Sequence, residues 1–390
     1  MLSYKNLTTK LARHVKIVST IGPASNSPKT IKALIMAGID VVRLNLAYGT
    51  FAEHHRVITE IRRISEKLNL PVGILLDLPG SKYQKGSTRT VFQKCLKFAH
   101  TEKVDFAALS FLTSAEQVYT VRKMLQDLKS DIDIIAKIER AEALKDHEAI
   151  LDAADGSMVA RGDLASEISI EQVPLAQKQL IRAANKRGKP VITATQMLVS
   201  MVNSPSPTRA EATDVANAVL DGTDAVMLSE ETAMGKYPVE AVKVMVKIIE
   251  AAETAIRYQH ILRERGADNV PEVNDAAARA ACQIADQVQA SSIVAFTSGG
   301  STAFRVSKYR PRQPILAVTS SVKVTRRLSM VWGVIPMFKP QPETLDEVFQ
   351  LTSEAVLETG AAKRGDLVVI AAGLPLAVPG STNLVKVQTV

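Results

Sequence analysis

Short runs rich in Val and Ile recur along the chain, and most are followed by a stretch in which apolar positions return every three or four residues. KIVSTIG, VVRLNL, VGILLDL, FAALSF, DIIAKIE, GSMVARGDL, PVITATQ and AVMLSEE read as eight strands; segments such as Ser27–Ala37 and Gln172–Lys186 read as helices between them. The strand cores are nearly continuous apolar runs, the pattern of parallel strands covered by helices. Eight such units predict a closed (β/α)8 barrel of the TIM type over residues 15–258, behind an N-terminal segment 1–14. After the helical run Pro238–Tyr258, the charge, Gly and Pro of RERGADNVPEVND mark a boundary over residues 259–274. Residues 275–390 then predict a smaller C-terminal α/β domain. It opens with a helix Asp275–Gln289, and SSIVAFTSGG, QPILAVT and DLVVIAAG supply a mainly parallel sheet.

Composition agrees with two folded domains. Of 390 residues 46% are hydrophobic and 23% charged, enough to bury a core and stay in water. Lys and Arg exceed Asp and Glu by 48 to 40 and are scattered, which argues against nucleic acid and suits a small anionic substrate. No apolar run reaches the roughly 20 residues of a membrane span, and MLSYKNLTTKLARH lacks the apolar core of a signal peptide. The expectation is a cytoplasmic protein without membrane contact. Cys95 and Cys282 match no metal or redox spacing and read as buried thiols.

Polar residues gather at the C-terminal ends of the predicted strands, the catalytic face of such barrels: Arg43, Asn45, Asp77, Lys137, Glu139, Asp163 and Thr195. KIE closing the fifth strand and ARGD closing the sixth bring Lys137, Glu139 and Asp163 together. Two carboxylates from separate strand ends can hold Mg²⁺ or Mn²⁺ that keeps some waters and takes further ligands from substrate oxygens. Arg43 can clamp a phosphate or carboxylate, Thr195 can offer a hydroxyl near a reacting carbon, and the amides after Arg161 can receive an anion if a helical turn begins there. The competing reading of the same residues is an ordinary salt-bridge network.

KIVSTIGPAS, AGIDVVRLN, IIAKIE, MVARGDLASEI, GKPVITATQML, PTRAEATDVANAVLDGTDAVMLSEETAMGKYPVEAV and VSKYRPRQPILAVT together closely resemble the pyruvate kinase family, over about Val15 to Val387. The resemblance implies phosphoryl transfer between phosphoenolpyruvate and ADP, giving pyruvate and ATP in glycolysis, on a barrel with an inserted lid domain and a C-terminal effector domain. It implies Lys137 as the cation at the transferred phosphoryl, Glu139 and Asp163 as divalent-metal ligands and Arg43 as a phosphate ligand. Thr195 then sits beside the carbon that is protonated, and the backbone of Ala160, Arg161, Gly162 and Asp163 receives the substrate carboxylate. A homotetramer is the family's habit.

DLPGSKYQKGSTRTVFQKCLKF departs from the family. Where the family inserts its lid after the third strand, residues 85–90 form only a short bridge, so the lid is expected to be absent. Gln84 and Thr113 stand where the family carries arginines that reach the nucleotide, and Tyr48 where a histidine is common, so impaired nucleotide handling is expected. Of the four ligands of the family's K⁺ site, Asn45 and Asp77 remain, while Ala47 and Leu78 offer no side-chain oxygen. Lys82 occupies the position of the lysine that replaces K⁺ in potassium-independent relatives. Asn45 and Asp77 also lie on the nucleotide side. FTSGGSTAFRVSKYRP resembles the family's phosphate pocket for effectors, through Thr297, Ser298, Gly299, Gly300, Ser301 and Thr302. Two other classes stay open: a non-catalytic regulatory or scaffold protein, and a metal-dependent lyase or aldolase acting on pyruvate enolate.

Overall fold

The computed structural model describes residues 11–79, 87–267, 272–376, 378 and 380–390. Lys82, Gln84, and Lys85 and Gly86 of the bridge lie outside the described residues.

Eight strands close a parallel barrel in sequence order: β1 Lys16–Thr20, β2 Val41–Asn45, β3 Gly73–Leu78, β4 Phe106–Leu109, β5 Asp133–Ile138, β6 Gly156–Ala160, β7 Val191–Ala194 and β8 Ala225–Leu228. Their residues are almost all buried because helices cover the outside while side chains fill the inside. The first helix shows how local sequence sets an element. Ser27 caps Pro28–Ala37 by accepting from the Thr30 amide at 3.1 Å, Pro28 suits the first turn, and Gly38 ends the helix at φ +117°. Ile31, Leu34 and Ile35 bury one face. Each contributes roughly 1.5–3 kcal/mol relative to exposure, more than the ~1 kcal/mol of the cap.

Three edges differ from the sequence reading. GSMVARGDL stops being a strand at Ala160, and Arg161–Leu164 forms a helical turn. The run Pro238–Tyr258 ends its helix at Glu253, whose carboxylate accepts from the His14 and Val15 amides. The expected boundary 259–274 is overlapped by the helix Tyr258–Ala267, where charge suits an exposed helix face, as in the pair His260–Glu264 at 3.3 Å.

Between β3 and β4 the described structure holds the 15-residue helix Ser87–Thr101, an ordinary crossover. The chain divides into two units, one of Ile17–Lys67 and Val72–Ala252, the other of Glu253–Val390 with Leu68–Pro71 and the chain up to Lys16. The second unit carries a five-stranded sheet in the order β11-β10-β9-β12-β13, from β9 Ser292–Phe296, β10 Ile315–Thr319, β11 Val334–Phe338, β12 Leu367–Gly373 and β13 Thr382–Thr389. Only β13 runs antiparallel, against β12. Alternate residues feed two cores: Ile293, Ala295, Ile315 and Ala317 pack with Cys282, Val306 and Leu328, while Val294, Phe296, Leu316 and Val318 pack with Val348 and Val356. Cys95 and Cys282 are buried free thiols. Among the described residues no helix is long and apolar enough to cross a membrane.

Candidate active site

The ends of β2 to β5 lie side by side, with Asn45 in register with Asp77, Leu78 with Leu109, and Leu109 with Ala136. Their polar side chains form a chain of alternating charge. Arg43 donates through Nε and Nη2 to Asp77 Oδ2 at 2.9 and 2.6 Å, and through Nη1 to Thr20 Oγ1 at 3.0 Å. Ser110, just past β4, donates to Asp77 Oδ1 at 3.1 Å and to the Leu78 carbonyl at 3.2 Å, and accepts from Lys137 Nζ at 2.8 Å. Lys137 Nζ lies 3.1 Å from Glu139 Oε2 and 3.5 Å from Asp77 Oδ1. Asp77, Ser110, Lys137 and Glu139 are all buried, so water screens these charges little.

The two buried carboxylates respond in opposite directions. Burial pushes the Asp77 carboxyl up, but Arg43 and Lys137 outweigh it and hold it below the usual carboxylate range. Burial also pushes Glu139 up, and there it prevails over Lys137 and the Phe111 amide, with Asp163 adding to the rise as a like charge. Glu139 Oε1 accepts the Phe111 amide at 2.5 Å. Its Oε2 has Lys137 at ion-pair distance but no well-directed hydrogen bond. Asp163 is exposed on the turn after β6.

A buried carboxylate oxygen with an ammonium beside it but no well-directed hydrogen bond, near a second carboxylate that disfavours its ionisation, fits a hard cation. Among the described residues no group of three or more His, Cys, Asp or Glu side chains is gathered for a metal. A cation on Glu139 and Asp163 would therefore complete its shell with water and substrate oxygens, which is the habit of Mg²⁺.

A second cluster stands at the ends of β6 and β7. Thr195 has φ +68° and Gln196 φ +54°, the former an outlier for a β-branched residue. Arg161 braces this backbone, donating to the Thr195 carbonyl at 2.7 Å and the Ala194 carbonyl at 3.2 Å while pairing with Asp214 at 2.6 Å. Thr195 Oγ1 accepts from the Gly162 amide at 2.8 Å and donates to the Ala194 carbonyl at 2.6 Å. The Arg161 side chain is thus structural, and what the turn Ala160–Asp163 can offer an anion is backbone.

The remaining positions are spread more widely. Asn45 Oδ1 accepts from the Ala47 amide at 3.0 Å, so it shapes its own loop. Tyr48 is exposed, and Leu78 is buried with its carbonyl turned to Ser110. Thr113 donates its amide to Gln117 Oε1 at 2.8 Å. In the second unit, Thr297 Oγ1 accepts from the Gly300 amide at 2.8 Å, Gly300 has φ +96°, and Thr302 pairs with Thr382 through hydroxyls 2.8 Å apart. Thr297, Ser298, Ser301 and Thr302 line a pocket with Ser320 and Ser381. Gly299 has open space where a Cβ would stand.

Ser110, the Phe111 amide, Thr20 and Asp214 are not singled out by sequence reading. SFLT does place a serine at the end of the fourth strand, but a lone serine carries no sign of its partners, and an amide carries none at all.

The family model described as "Pyruvate kinase, barrel domain" matches residues 12–94 and 89–242, in two pieces that meet beside the short bridge. "Pyruvate kinase, alpha/beta domain" matches residues 275–388. Pyruvate kinase of Clostridium acetobutylicum is 37% identical over an alignment of 468 positions, covering 96% of this chain and 99% of that one. Pyruvate kinase 2 of Synechocystis is 38% identical, covering 98% of this chain and 80% of its own, and pyruvate kinase of Geobacillus stearothermophilus is 37% identical, covering 97% and 81%. An alignment of 468 positions exceeds the 390 residues of this chain, so the relatives carry residues that it lacks. With eight parallel strands, the mixed second sheet, and relatives matched over nearly its whole length, the chain belongs to the pyruvate kinase family, as a pyruvate kinase-like enzyme that lacks the inserted lid.

Proposed function

We propose that phosphoryl transfer between phosphoenolpyruvate and ADP takes place at the barrel mouth, with residues 15–258 as catalytic domain and 275–390 as an effector-type domain. The observation that supports this most is Lys137 Nζ held 3.1 Å from Glu139 Oε2, an oxygen that has this ion-pair partner but no well-directed hydrogen bond. Glu139 and Asp163 hold Mg²⁺ or Mn²⁺, which when bound neutralises oxygens of the transferring phosphoryl group. Lys137 presents its ammonium to the same group from a buried seat, where a charge acts more strongly than in water.

Arg43 grips substrate phosphate, its guanidinium already aimed by Asp77 and Thr20. The amides of Ala160–Asp163 receive the substrate carboxylate. Thr195 Oγ1, which accepts from the Gly162 amide at 2.8 Å, then borders both that carboxylate and the carbon that gains a proton. Asn45 and Asp77 serve the nucleotide side. K⁺ is dispensable because Asp77 is already neutralised by Arg43 at 2.6 Å and Lys137 at 3.5 Å, with Lys82 as a further substitute. Nucleotide handling is reduced for want of a lid and of cations at Gln84 and Thr113; each lost charge-assisted phosphate contact removes roughly 1.5–3 kcal/mol. A phosphorylated effector on the Thr297–Thr302 loop, a homotetramer and a cytoplasmic location complete the proposal.

The test is Mn²⁺ binding followed by electron paramagnetic resonance, with phosphoenolpyruvate present and with or without ADP. Phosphoenolpyruvate should tighten Mn²⁺ binding, ADP should add little, and Asp163→Asn should weaken it by about tenfold or more. Unchanged Mn²⁺ affinity in Asp163→Asn would remove the metal assignment.

A further inference from the structure

Ser110 and Phe111 are consecutive residues of the turn that follows β4, and each holds one of the two charged groups of the KIE run on the neighbouring strand. Ser110 Oγ accepts from Lys137 Nζ at 2.8 Å. Having accepted there, the hydroxyl has one proton, directed to Asp77 Oδ1 at 3.1 Å and the Leu78 carbonyl at 3.2 Å. Lys137 is thereby held with its ammonium 3.1 Å from Glu139 and 3.5 Å from Asp77. Phe111 donates its amide to Glu139 Oε1 at 2.5 Å, while Oε2 has Lys137 Nζ at 3.1 Å and no well-directed hydrogen bond.

Phe111 adopts φ +57°, a left-handed conformation that is uncommon for a bulky side chain. Its ring contributes little to a core, being 41% exposed, with the Arg140 guanidinium 5.1 Å from its centroid. Arg140 is held in turn by Glu167. An exposed aromatic in a left-handed turn, whose amide meets a buried carboxylate, serves through its backbone. We infer that the Ser110–Phe111 turn is a positioning element, in which the Ser110 hydroxyl aims Lys137 and the Phe111 amide occupies one Glu139 oxygen so that the other faces the cation. This rests on the metal reading given above, and Glu139→Gln separates the two.

The experiment measures Mn²⁺ affinity with oxalate present, together with kcat and KM for phosphoenolpyruvate. Phe111→Gly keeps the amide and accepts a positive φ, so Mn²⁺ affinity should stay near that of the natural protein. Phe111→Val keeps an amide but resists a positive φ, so affinity should fall by about tenfold or more, as for other groups that orient a metal ligand. Ser110→Ala should lower kcat by about tenfold with little change in KM, and Ser110→Thr, which restores a hydroxyl, should recover most of it. If Phe111→Val retains affinity while Glu139→Gln loses it, the inference fails alone. If both retain it, the metal reading fails with it. Phe111→Gly weakening Mn²⁺ as much as Phe111→Val would show that the ring and not the backbone matters, and Ser110→Ala with unchanged kcat would remove the Lys137 half.

Discussion

At the barrel mouth Arg43, Asp77, Lys137 and Glu139 alternate in sign within a few ångströms and are mostly buried, whereas the Thr297–Thr302 loop of the second unit is lined by hydroxyls and, among the described residues, by no Lys or Arg. Both follow the end of a parallel strand, and both include a residue of positive φ. They differ in how many of their polar groups are satisfied. In the loop, Thr297 takes the Gly300 amide and Thr302 pairs with Thr382. At the mouth, Glu139 Oε2 has Lys137 at 3.1 Å but no well-directed hydrogen bond, and its carboxyl is pushed up by burial. Buried charge whose partners are not all well directed is the material for binding further charge, while hydroxyls paired with one another or with amides select shape and geometry.

The largest effect should come from breaking the charge chain. Lys137→Met removes the cation between two carboxylates and should lower kcat by about 10²–10³-fold, the range for deleting one preorganised electrostatic group. It should also destabilise the barrel unit, because a buried carboxylate loses its counter-charge. Steady-state kinetics and urea unfolding read the two effects, and a kcat near that of the natural protein would dissolve the contrast with the loop.

Acidification should separate the two carboxylates. The raised Glu139 carboxyl favours its protonated form, so the stability linked to it is greatest at low pH and declines as pH rises from its unfolded value through its folded one. The lowered Asp77 carboxyl works the other way: its contribution is present above its unfolded value and lost as pH falls through its folded one. On lowering pH, Mn²⁺ affinity should therefore drop above the usual carboxylate range, and the stability supplied by Asp77 should go only below it. Mn²⁺ titrations and melting curves over the same pH series check the order; loss of both together would show that the two groups titrate as one.

Gly300→Ala sharpens the other side of the comparison. A Cβ at φ +96° should destabilise the second unit by roughly 1–2 kcal/mol, with Mn²⁺ affinity at the barrel unchanged. Smallest of all should be the response to K⁺. With Asp77 already neutralised by Arg43 and Lys137, replacing K⁺ by a bulky organic cation at equal ionic strength should leave the coupled rate nearly constant. Strong activation by K⁺ would mean that Asp77 still lacks positive charge when substrate is bound.

Much of this architecture is legible in the chain itself. Continuous Val- and Ile-rich runs specify buried parallel strands, and eight of them leave a closed barrel as the economical arrangement; the same rule gathers Arg43, Asp77, Lys137 and Glu139 at one end. Helix edges are less legible. Arg161–Leu164 continues an apolar run, and only the folded chain shows that Arg161 turns away to brace the Thr195 and Ala194 carbonyls. Backbone donors are not legible at all, since any residue has an amide and only geometry brings that of Phe111 to Glu139.

The absence of the lid bears most directly on the chemistry. On the proposed assignment, enolisation of pyruvate would need chiefly the barrel rim, the divalent cation, Lys137 and a proton source near Thr195, whereas transfer to ADP would also need a nucleotide held in line and shielded from water. The decisive measurement is proton exchange at the pyruvate methyl in heavy water, followed by NMR beside a coupled assay of ATP formation on the same enzyme. Exchange should be readily measured while ATP formation is low. Full ATP formation without detectable exchange would contradict this division of labour between the buried charges of the rim and the missing lid.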